Sequence, residues 1–260
     1  MTHTRLVFLR HGRTEWNNLG KLQGQADTSL DEVGVRQAEG AARFFADWSF
    51  AACYASDRRR ALNTAEIVAA PHGLEVVPDA RLQEINVGTW SGKTSAEVSL
   101  EMPDFVDLYT RGIDFRRSAT GETLAEMTAR ALPAVREIAE RHEGQRVLIV
   151  SHGLLLANVI QALVGIGVEG SVLGLLGELQ AERRIGDDQR ADELGAEHRD
   201  ARRPARAGGA DEGDPLPGVD PQAHATQHRV TRHVREPDVL ELDVAGDPPA
   251  GCGPRGVAHG

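Results

Sequence analysis

Two short apolar runs, each followed by a histidine and a glycine, constrain the fold of this chain more than any other feature. The first is Leu6-Val7-Phe8-Leu9, which leads into Arg10-His11-Gly12. The second is Val147-Leu148-Ile149-Val150, which leads into Ser151-His152-Gly153. Continuous apolar runs of this length are typical of strands that are covered on both faces. The sequence therefore predicts two buried strands that each deliver a histidine at the carboxyl end.

Weaker strand and helix signals lie between these two runs. Ala52-Cys53-Tyr54-Ala55 and Leu74-Glu75-Val76-Val77 are further strand candidates. Helices are expected to begin at Ser29-x-x-Glu32 and Thr123-x-x-Glu126, which have the form of capping boxes, and at Ser56-Asp57. Strands that alternate with helices predict an α/β fold around a mostly parallel sheet. Pro133 falls inside the helix predicted to begin at Thr123 and should kink or divide that helix.

The composition of the chain changes sharply near residue 176. Residues 177–260 contain no Phe, Trp or Tyr, hold 8 of the 12 prolines, and carry 17 Asp and Glu against 11 Arg. Such a segment buries too little apolar surface to offset the entropy of ordering it. We therefore expect one globular domain over residues 1–176 and a mostly disordered acidic segment over 177–260. Asp238–Val244 is the one short strand candidate within that segment.

Two origins of this last segment remain open. The segment is rich in Arg, Asp, Gly, Ala and Pro, which are the residues that most GC-rich codons encode. The recognisable sequence pattern of the preceding domain stops soon after Gly170. One hypothesis is that a frameshift replaced the native C-terminus. The alternative is a genuine acidic tail. A frameshifted chain would lack a final strand and expose a sheet edge, unless Val239–Val244 substitutes for it.

Charge and hydropathy exclude several classes of function. The formal net charge of −10 argues against nucleic-acid binding through a broad basic face. No apolar run approaches the roughly 20 residues of a membrane-spanning helix, and Met1–Arg5 leads into an apolar run too short for a secretory signal. Cys53 and Cys252 are too few for a disulfide framework. We expect a cytoplasmic protein without nucleic-acid or membrane partners, and the oligomeric state stays open.

The candidate chemistry lies at the predicted strand ends. In open α/β sheets the ligand site lies beyond the carboxyl ends of the strands, where His11 and His152 are expected. Arginines accompany them, since Arg10 precedes His11 and Arg58-Arg59-Arg60 begins a helix. Arginine is the preferred partner of phosphate, and cations at a helix N-terminus oppose its macrodipole unless an anion binds there. These residues predict an anion site.

Taken with Glu84 and the turn Gly88-Thr89-Trp90-Ser91-Gly92, these residues resemble the histidine phosphatase superfamily, also called phosphoglycerate mutase-like. The matching segments, in chain order, are Leu9–Asn17, Leu22–Gly24, Ser56–Ala61, Leu82–Glu84, Gly88–Gly92, Gly121–Thr123 and Ser151–Gly153. They cover roughly residues 4–170. The resemblance implies a three-layer sandwich, with helices on both faces of a mostly parallel sheet.

The resemblance also implies a role for each site residue. His11 is the expected nucleophile that becomes phosphohistidine, and Glu84 the expected proton donor and acceptor. The expected phosphoryl-binding residues are Arg10, Arg60 and His152, and the residues expected to line the pocket are Asn17 and Gly24. The chain departs from the family pattern at Arg58, where leucine is usual, and at Arg13, where Gln or Glu is more frequent.

The implied reaction is hydrolysis of a phosphomonoester. Phosphoryl transfer is mainly a problem of positioning and charge stabilisation, and two arginines with a second histidine offset the charge of the transferred group. We therefore expect neither a metal nor another cofactor. The substrate is expected to be a small phosphorylated metabolite. Tyr109, Arg111, Arg116 and Arg117, in the segment of about residues 93–120, could recognise an acidic or sugar phosphate.

Two alternatives remain. A cofactor-dependent phosphoglycerate mutase usually has Glu-Arg-His-Tyr-Gly after the acid, whereas this chain has Glu84-Ile85-Asn86-Val87-Gly88. Mutases also carry a longer insertion, and only 67 residues separate Glu84 from His152 here. Both features favour a phosphatase. The second alternative, a non-catalytic phospho-ligand binding or regulatory protein, is disfavoured because the nucleophile and the acid are both present.

Overall fold

A single mixed sheet forms the centre of the protein. The computed structural model describes residues 3–165, 230–231 and 239–245. The strands are β1 (His3–Arg10), β2 (Ala52–Ala55), β3 (Val76–Pro78), β4 (Arg146–Ser151), β5 (Val230–Thr231) and β6 (Val239–Ala245). Their order is β3-β2-β4-β1-β6-β5, and the first four are mutually parallel. Strand β6 is antiparallel to both of its neighbours.

Helices cover the sheet on both sides. The helices are α1 (Glu15–Asn18), α2 (Glu32–Phe44), α3 (Arg59–Ala69), α4 (Ser95–Glu101), α5 (Phe105–Thr110), α6 (Leu124–Arg141) and α7 (Gly153–Leu163). Short 3₁₀ turns occupy Ala70–His72, Ala80–Leu82 and Gly88–Trp90. Within the part of the chain that the structure describes, no helix combines the length and the apolar character needed to cross a bilayer.

The alternation of side chains along β1 separates two hydrophobic cores. Leu6 and Phe8 lie in the larger core, which the buried faces of α6 and α7 complete. Val7 and Leu9 lie in the other core, with residues of α2 and α3. Neighbouring residues of a strand point to opposite faces of the sheet, so a continuous apolar run fits only a strand covered on both sides. The predicted three-layer α/β sandwich is confirmed.

Two of the three predicted helix starts need correction. Helix α2 is capped by Asp31 instead of Ser29, and the Asp31 carboxylate accepts from the backbone N–H of Gly34 at 2.8 Å. The residue that caps α3 is Arg58, with no side-chain cap hydrogen bond. Ser56 Oγ lies 2.9 Å from His152 Nε2, and Asp57 accepts from Gln83 Nε2 at 2.7 Å. The tertiary structure thus uses both predicted cap side chains elsewhere.

The third predicted helix begins as expected. Thr123 caps α6, and the reciprocal bonds between Thr123 and Glu126 make a capping box. Pro133 lies inside α6 without dividing it. The helix continues because its buried face, which includes Met127, Val135 and Ile138, packs in the larger core.

A strand from the compositionally distinct segment joins the sheet. The predicted strand at Asp238–Val244 is confirmed as β6, whose backbone pairs with β1 from His3↔Ala245 to Leu9↔Val239. The sheet therefore takes a strand from beyond residue 176. The remainder of residues 177–260, apart from Val230–Thr231, and with it the predicted disorder, lies outside the described residues.

Candidate active site

The register between β1 and β4 brings the two predicted histidines together. Arg10 pairs with Ser151 at the carboxyl ends of the two parallel strands, so the next residues, His11 and His152, leave the sheet side by side. The backbone N–H of His11 donates to the Ser151 carbonyl at 3.0 Å. The two imidazole rings are 5.1 Å apart between centroids, at an interplanar angle of 64°, and both are buried.

Hydrogen bonds determine which nitrogen of His11 can react. Its Nδ1 lies 2.7 Å from the Gly12 carbonyl oxygen, which only accepts, so Nδ1 carries the proton. Nε2 then keeps a lone pair, and it accepts from Arg60 Nε at 3.2 Å. Burial, followed by the charges of Arg10 and Arg60, holds the pKa of His11 well below its usual value of 6.5. His11 is therefore a neutral imidazole near neutral pH, with the lone pair on Nε2.

Arg60 is the one residue of the triple arginine whose guanidinium reaches His11. It is 1% exposed, and burial lowers its pKa to about 10, so it stays charged at neutral pH. Its Nη1 and Nη2 donate to the carbonyls of Ala26 and Gly24 at 2.6 and 2.7 Å. Arg59 instead pairs with Asp27 at 2.8 Å on the surface. Carbonyl oxygens thus hold Arg60 at the helix start.

Of the two residues expected to line the pocket, Gly24 contacts Arg60 directly, whereas Asn17 does so only through other side chains. Gly24 has a φ of +51°, and an added Cβ would meet Val87 Cγ2 at 2.7 Å, so only glycine fits where its carbonyl meets Arg60. Asn17 lies in α1, and its side-chain oxygen accepts from the Thr14 N–H and hydroxyl at 3.1 and 2.9 Å. Gln23 Oε1 lies 3.0 Å from the same Thr14 hydroxyl and competes for its single proton. Asn17 is therefore tied to the site through a hydrogen-bonded chain.

His152 lies beside His11, and its two ring nitrogens have different surroundings. Its Nε2 lies 2.9 Å from Ser56 Oγ, and its Nδ1 is buried with no hydrogen-bond partner among the described residues. Burial, followed by the charges of Arg60 and His11, holds the pKa of His152 well below 6.5. A buried polar atom without a partner is costly, and an anionic oxygen would supply the missing partner if Nδ1 carries the proton.

Arg10 lies against the beginning of α7. A Cβ added at Gly153 would stand 3.3 Å from Arg10 Nε, so the glycine leaves room for the guanidinium. The charge of Arg10 contributes, after burial, to the lowered pKa values of His11 and His152. The site thus combines two guanidinium groups with two neutral imidazoles, which suits a phosphoryl group.

The Glu84 carboxylate lies at the amino end of α7, directly after His152. Oε1 accepts from the backbone N–H of Ile85 at 2.9 Å and of Leu155 at 3.0 Å, and Oε2 accepts from that of Leu154 at 3.1 Å. A helix N-terminus favours a negative charge. Because a carboxylate has about four acceptor positions, one position of Oε2 stays available for a proton or a water molecule.

A half-buried ion pair positions the Glu84 loop, and the sequence contained no signal for it. Arg130 on α6 donates to the carbonyls of Arg81 and Glu84 at 2.9 and 2.7 Å. It also pairs with Glu122 at 2.9 Å, and Glu122 accepts from the backbone N–H of Asn86 at 2.8 Å. Glu122 belongs to the matching segment Gly121–Thr123. The sequence around Arg130, in contrast, predicts only a polar residue of an amphipathic helix. The pair clamps the loop on both sides of Glu84.

No group of three or more His, Cys, Asp or Glu side chains in the described ranges is arranged to hold a metal ion. The positive groups of the site are the guanidinium groups of Arg10 and Arg60. They lie in a buried region, where charge interactions are stronger than in water.

Comparisons with known proteins agree with this geometry. Residues 6–172 match the family model of the histidine phosphatase superfamily (branch 1). Over 181 residues the chain is 36% identical to a glucosyl-3-phosphoglycerate phosphatase of Mycolicibacterium vanbaalenii, covering 66% of this chain and 80% of that protein. It is 32% identical over 161 residues to a probable phosphoglycerate mutase of Yersinia pestis, covering 62% of this chain and 75% of that protein.

A solved structure supports the same assignment. The structure of a mycobacterial glucosyl-3-phosphoglycerate phosphatase in complex with VO3 superimposes with a TM-score of 0.60 at 34% sequence identity, covering 64% of this chain and 84% of the other. With the family model matching well over half of its length, the chain belongs to the histidine phosphatase superfamily.

Proposed function

We propose that this phosphatase is a metal-independent phosphomonoester hydrolase that acts through a phosphohistidine intermediate on a small phosphorylated metabolite. The observation that carries the proposal is the state of His11. Its Nδ1–H is committed to the Gly12 carbonyl, and its Nε2 faces Arg60 beside His152. A positioned, neutral nucleophile within a cluster of cations is what phosphoryl transfer requires.

In the first step, Nε2 of His11 forms a bond to phosphorus as the bond from phosphorus to the leaving oxygen breaks. Arg10, Arg60 and His152 bind the phosphoryl oxygens during this transfer. The phosphate dianion of the bound substrate favours the protonated form of Glu84 over the carboxylate that the helix N-terminus stabilises, and the protonated carboxyl gives its proton to the leaving oxygen. The Gly12 carbonyl, which accepts from Nδ1–H, stabilises the positive charge that develops on the imidazole.

In the second step, water attacks the phosphohistidine. Glu84, now a carboxylate, takes a proton from the water as the new oxygen–phosphorus bond forms. The bond from phosphorus to Nε2 breaks, and its electron pair returns to the ring. Inorganic phosphate leaves, and both His11 and Glu84 are restored to their starting states.

The relatives support hydrolysis and leave the mutase as the alternative. One relative is named for hydrolysis of glucosyl-3-phosphoglycerate and another as a probable phosphoglycerate mutase. We favour hydrolysis because the run after Glu84 and the short spacing to His152 both lack the mutase pattern.

Turnover of p-nitrophenyl phosphate with a trapped phosphoenzyme tests the proposal. We expect phosphate release that is unchanged by EDTA and inhibited by vanadate, which imitates the five-coordinate phosphoryl group. Loss of activity in EDTA with recovery on added Mg²⁺ would contradict metal independence. Isomerisation of phosphoglycerate on addition of a bisphosphoglycerate, faster than hydrolysis, would identify a mutase. Binding of phosphate without turnover would identify a non-catalytic protein.

The domain limit at residue 176 and the cytoplasmic location stay predictions. We infer that residues 1–176 hold the whole catalytic apparatus, because every site residue lies within them. The frameshift hypothesis for residues 177–260 is tested by translating the source DNA in the other two frames beyond Leu173. A strand-like ending with aromatic, Ser or Asn residues in another frame would support it, and its absence would favour a genuine tail.

A further inference from the structure

Three residues that follow adjacent strands stand in a row at the carboxyl edge of the sheet. Strand β4 lies between β2 and β1, and the residues directly after β2, β4 and β1 are Ser56, His152 and His11. The backbone N–H of Ser56 donates to the Val150 carbonyl at 3.0 Å, just as that of His11 donates to the Ser151 carbonyl. His152 therefore has His11 on one side and, on the other, a serine without an assigned role.

The Ser56 side chain is buried against the His152 ring. Ser56 is 0% exposed, and its Oγ lies 2.9 Å from Nε2 of His152. The backbone N–H of Arg58 also points to this oxygen, at 3.4 Å. A backbone N–H only donates, so Oγ accepts from Arg58 and the hydroxyl proton needs a different partner. Among the described residues, Nε2 of His152 is the one acceptor within hydrogen-bond distance of that hydroxyl.

The position of the single ring proton of His152 decides how many buried groups stay unpaired. Burial, followed by the charges of Arg60 and His11, holds the pKa of His152 well below 6.5, so the ring is neutral and carries one N–H. With that proton on Nε2, both the Ser56 hydroxyl proton and the lone pair of Nδ1 would lack partners. With the proton on Nδ1, Ser56 donates to Nε2, and only the Nδ1–H is unpaired. Unpaired buried polar groups are costly, so the second arrangement is favoured.

The same arrangement suits a bound phosphoryl group. Since Ser56 occupies Nε2, the nitrogen of His152 that is left for a phosphoryl oxygen is Nδ1. A protonated Nδ1 donates to an anionic oxygen, whereas an unprotonated Nδ1 would present a lone pair and repel it. Neutral histidine in water favours the proton on Nε2. The site therefore requires a group that reverses this preference.

We propose that Ser56 is a positioning residue, whose hydroxyl donates to Nε2 of His152 and so keeps the ring proton on Nδ1, where it is available to the phosphoryl group. This inference rests on the proposed function, in which His152 binds the phosphoryl oxygens. Ser56 acts through His152, and the phosphoryl group is common to all substrates. Its loss should therefore affect every substrate equally, in contrast to the loss of Glu84, which depends on the leaving group.

Nitrogen NMR of the full chain with isotope-labelled histidine tests the position of the proton directly. We expect His152 of the wild type to show a protonated Nδ1 and an unprotonated Nε2, with its signals assigned by their absence from His152→Gln. In Ser56→Ala the hydroxyl donor is gone, so the proton should move largely to Nε2. A folded Ser56→Thr variant keeps a hydroxyl and should keep the wild-type pattern. A wild-type His152 with its proton on Nε2 would overturn the proposal.

Kinetics test the consequence for phosphoryl transfer. Ser56→Ala should lower kcat/KM by about 10- to 100-fold, the range for one hydrogen bond to a charged group, and weaken the binding of inorganic phosphate by a similar factor. The decrease should be equal for p-nitrophenyl phosphate and glycerol 3-phosphate. A decrease that depends on the leaving group, or one without a change in the proton position of His152, would assign Ser56 another role and overturn the inference. No decrease would also overturn it.

The matched control is Thr4→Val, which removes another buried hydroxyl bond. Thr4 is 3% exposed and donates to the Ala139 carbonyl at 2.8 Å, at the amino end of β1 and thus at the opposite edge of the sheet. We expect a lower Tm for this variant, with the proton position of His152 and kcat/KM unchanged. Should Ser56→Ala fail to fold, the proton position in the wild type still decides the proposal.

Failure of this inference can be distinguished from failure of the proposed function. A wild-type protein that hydrolyses p-nitrophenyl phosphate but carries the His152 proton on Nε2 removes the role of Ser56 and leaves the hydrolase intact. A wild-type protein that hydrolyses no phosphomonoester contradicts the proposed function. The role of Ser56 in anion binding is then decided by the NMR pattern and by the phosphate affinity of Ser56→Ala, neither of which needs turnover.

Discussion

The strand ends that hold His11 and His152 differ in construction from the segment of residues 93–120, which we call the recognition segment. At the strand ends, both histidines and Arg60 are buried and are held by backbone carbonyls, a hydroxyl or one another. The recognition segment consists of the short helices α4 and α5 with their connections, and it leaves Leu100 85% exposed.

The difference separates two tasks of the enzyme. Transfer of a phosphoryl group needs fixed distances, which a packed parallel sheet provides through the register of β1 and β4. Recognition of the rest of the substrate tolerates adjustment, and surface segments commonly carry it on a rigid scaffold. We therefore expect substitutions at the strand ends to affect all substrates, and substitutions in the recognition segment to discriminate among them.

Removal of the nucleophile should have the largest effect. His11→Ala should reduce turnover of every phosphomonoester to background and abolish the trapped phosphoenzyme, because Nε2 is the atom that we propose bonds to phosphorus. A rapid quench of labelled substrate into alkaline detergent, in which the acid-labile P–N bond of phosphohistidine survives, measures the phosphoenzyme. Near-normal activity in a folded His11→Ala variant would show that the strand ends are not the site of chemistry.

Glu84→Gln should lower activity nearly as much, but by an amount that depends on the leaving group of the substrate. Loss of one acid–base group lowers kcat/KM by about 10²- to 10⁴-fold for alkyl phosphates, whose leaving oxygen needs a proton. The decrease should be smaller for p-nitrophenyl phosphate, whose leaving group is a weak base. A plot of log kcat/KM against leaving-group pKa measures this difference, because kcat/KM reports transfer to His11 and not the later attack of water. Equal losses in kcat/KM for both substrate types would assign Glu84 a binding or structural role.

Arg130→Gln should show how far the rigidity of the site extends. The variant loses the ion pair to Glu122 and loosens the Glu84 loop, so kcat for alkyl phosphates should fall by up to about 10²-fold with little change in KM. The matched control is Arg136→Gln, which changes an exposed arginine of the same helix. Arg130 is a positioning residue if the decrease in kcat is larger for leaving groups of higher pKa, as is expected for Glu84→Gln. A change in KM alone would contradict that role.

Truncation tests whether β6 protects the edge of the catalytic strand. A chain ending at residue 229 lacks β5 and β6, which leaves one edge of β1 unpaired. We expect this chain to have a lower Tm and to aggregate, since unpaired strand edges associate. A chain ending at residue 248 keeps both strands and serves as the control. A monomeric shorter chain with an unchanged Tm would show that β1 needs no partner on that side.

A pH titration of stability gives the smallest expected effect. The pKa values of His11 and His152 are lowered by burial, so between those values and 6.5 the unfolded chain binds more protons than the folded one. Their stabilisation is complete above pH 6.5 and is lost as the pH falls, by up to about 1.4 kcal/mol per pH unit for each histidine.

Urea unfolding between pH 5.5 and 7.5 measures this slope, in a range above the ordinary pKa values of most carboxylates. The folded variant His152→Gln should show a smaller slope than the wild type. A slope of zero in the wild type would mean that both imidazoles are accessible to protons in the folded state. The conclusion that both imidazoles are buried at the strand ends would then be wrong.

Local sequence was sufficient for the framework of the protein. Apolar runs predicted β1 and β4, the Thr123 capping box predicted the start of α6, and the pattern of Asp238–Val244 predicted the strand that the structure shows as β6. These features depend on neighbours within a few residues, because burial pattern and capping are set by local spacing. The two histidines followed from the same pattern, since a parallel sheet places strand ends at one edge.

Contacts between residues far apart in the chain decided the rest. Ser29, Ser56 and Asp57 are equally good local caps, yet none caps a helix in the expected way. Asp31 caps α2, while Ser56 and Asp57 bind groups 96 and 26 residues away. Arg130 contacts the Glu84 carbonyl 46 residues away, and Arg117 is buried although nothing in its local sequence predicts it. Hydrogen-bonding groups satisfy one another wherever folding brings them together, so the sequence could predict the candidate site residues, and only the tertiary structure determined what holds them.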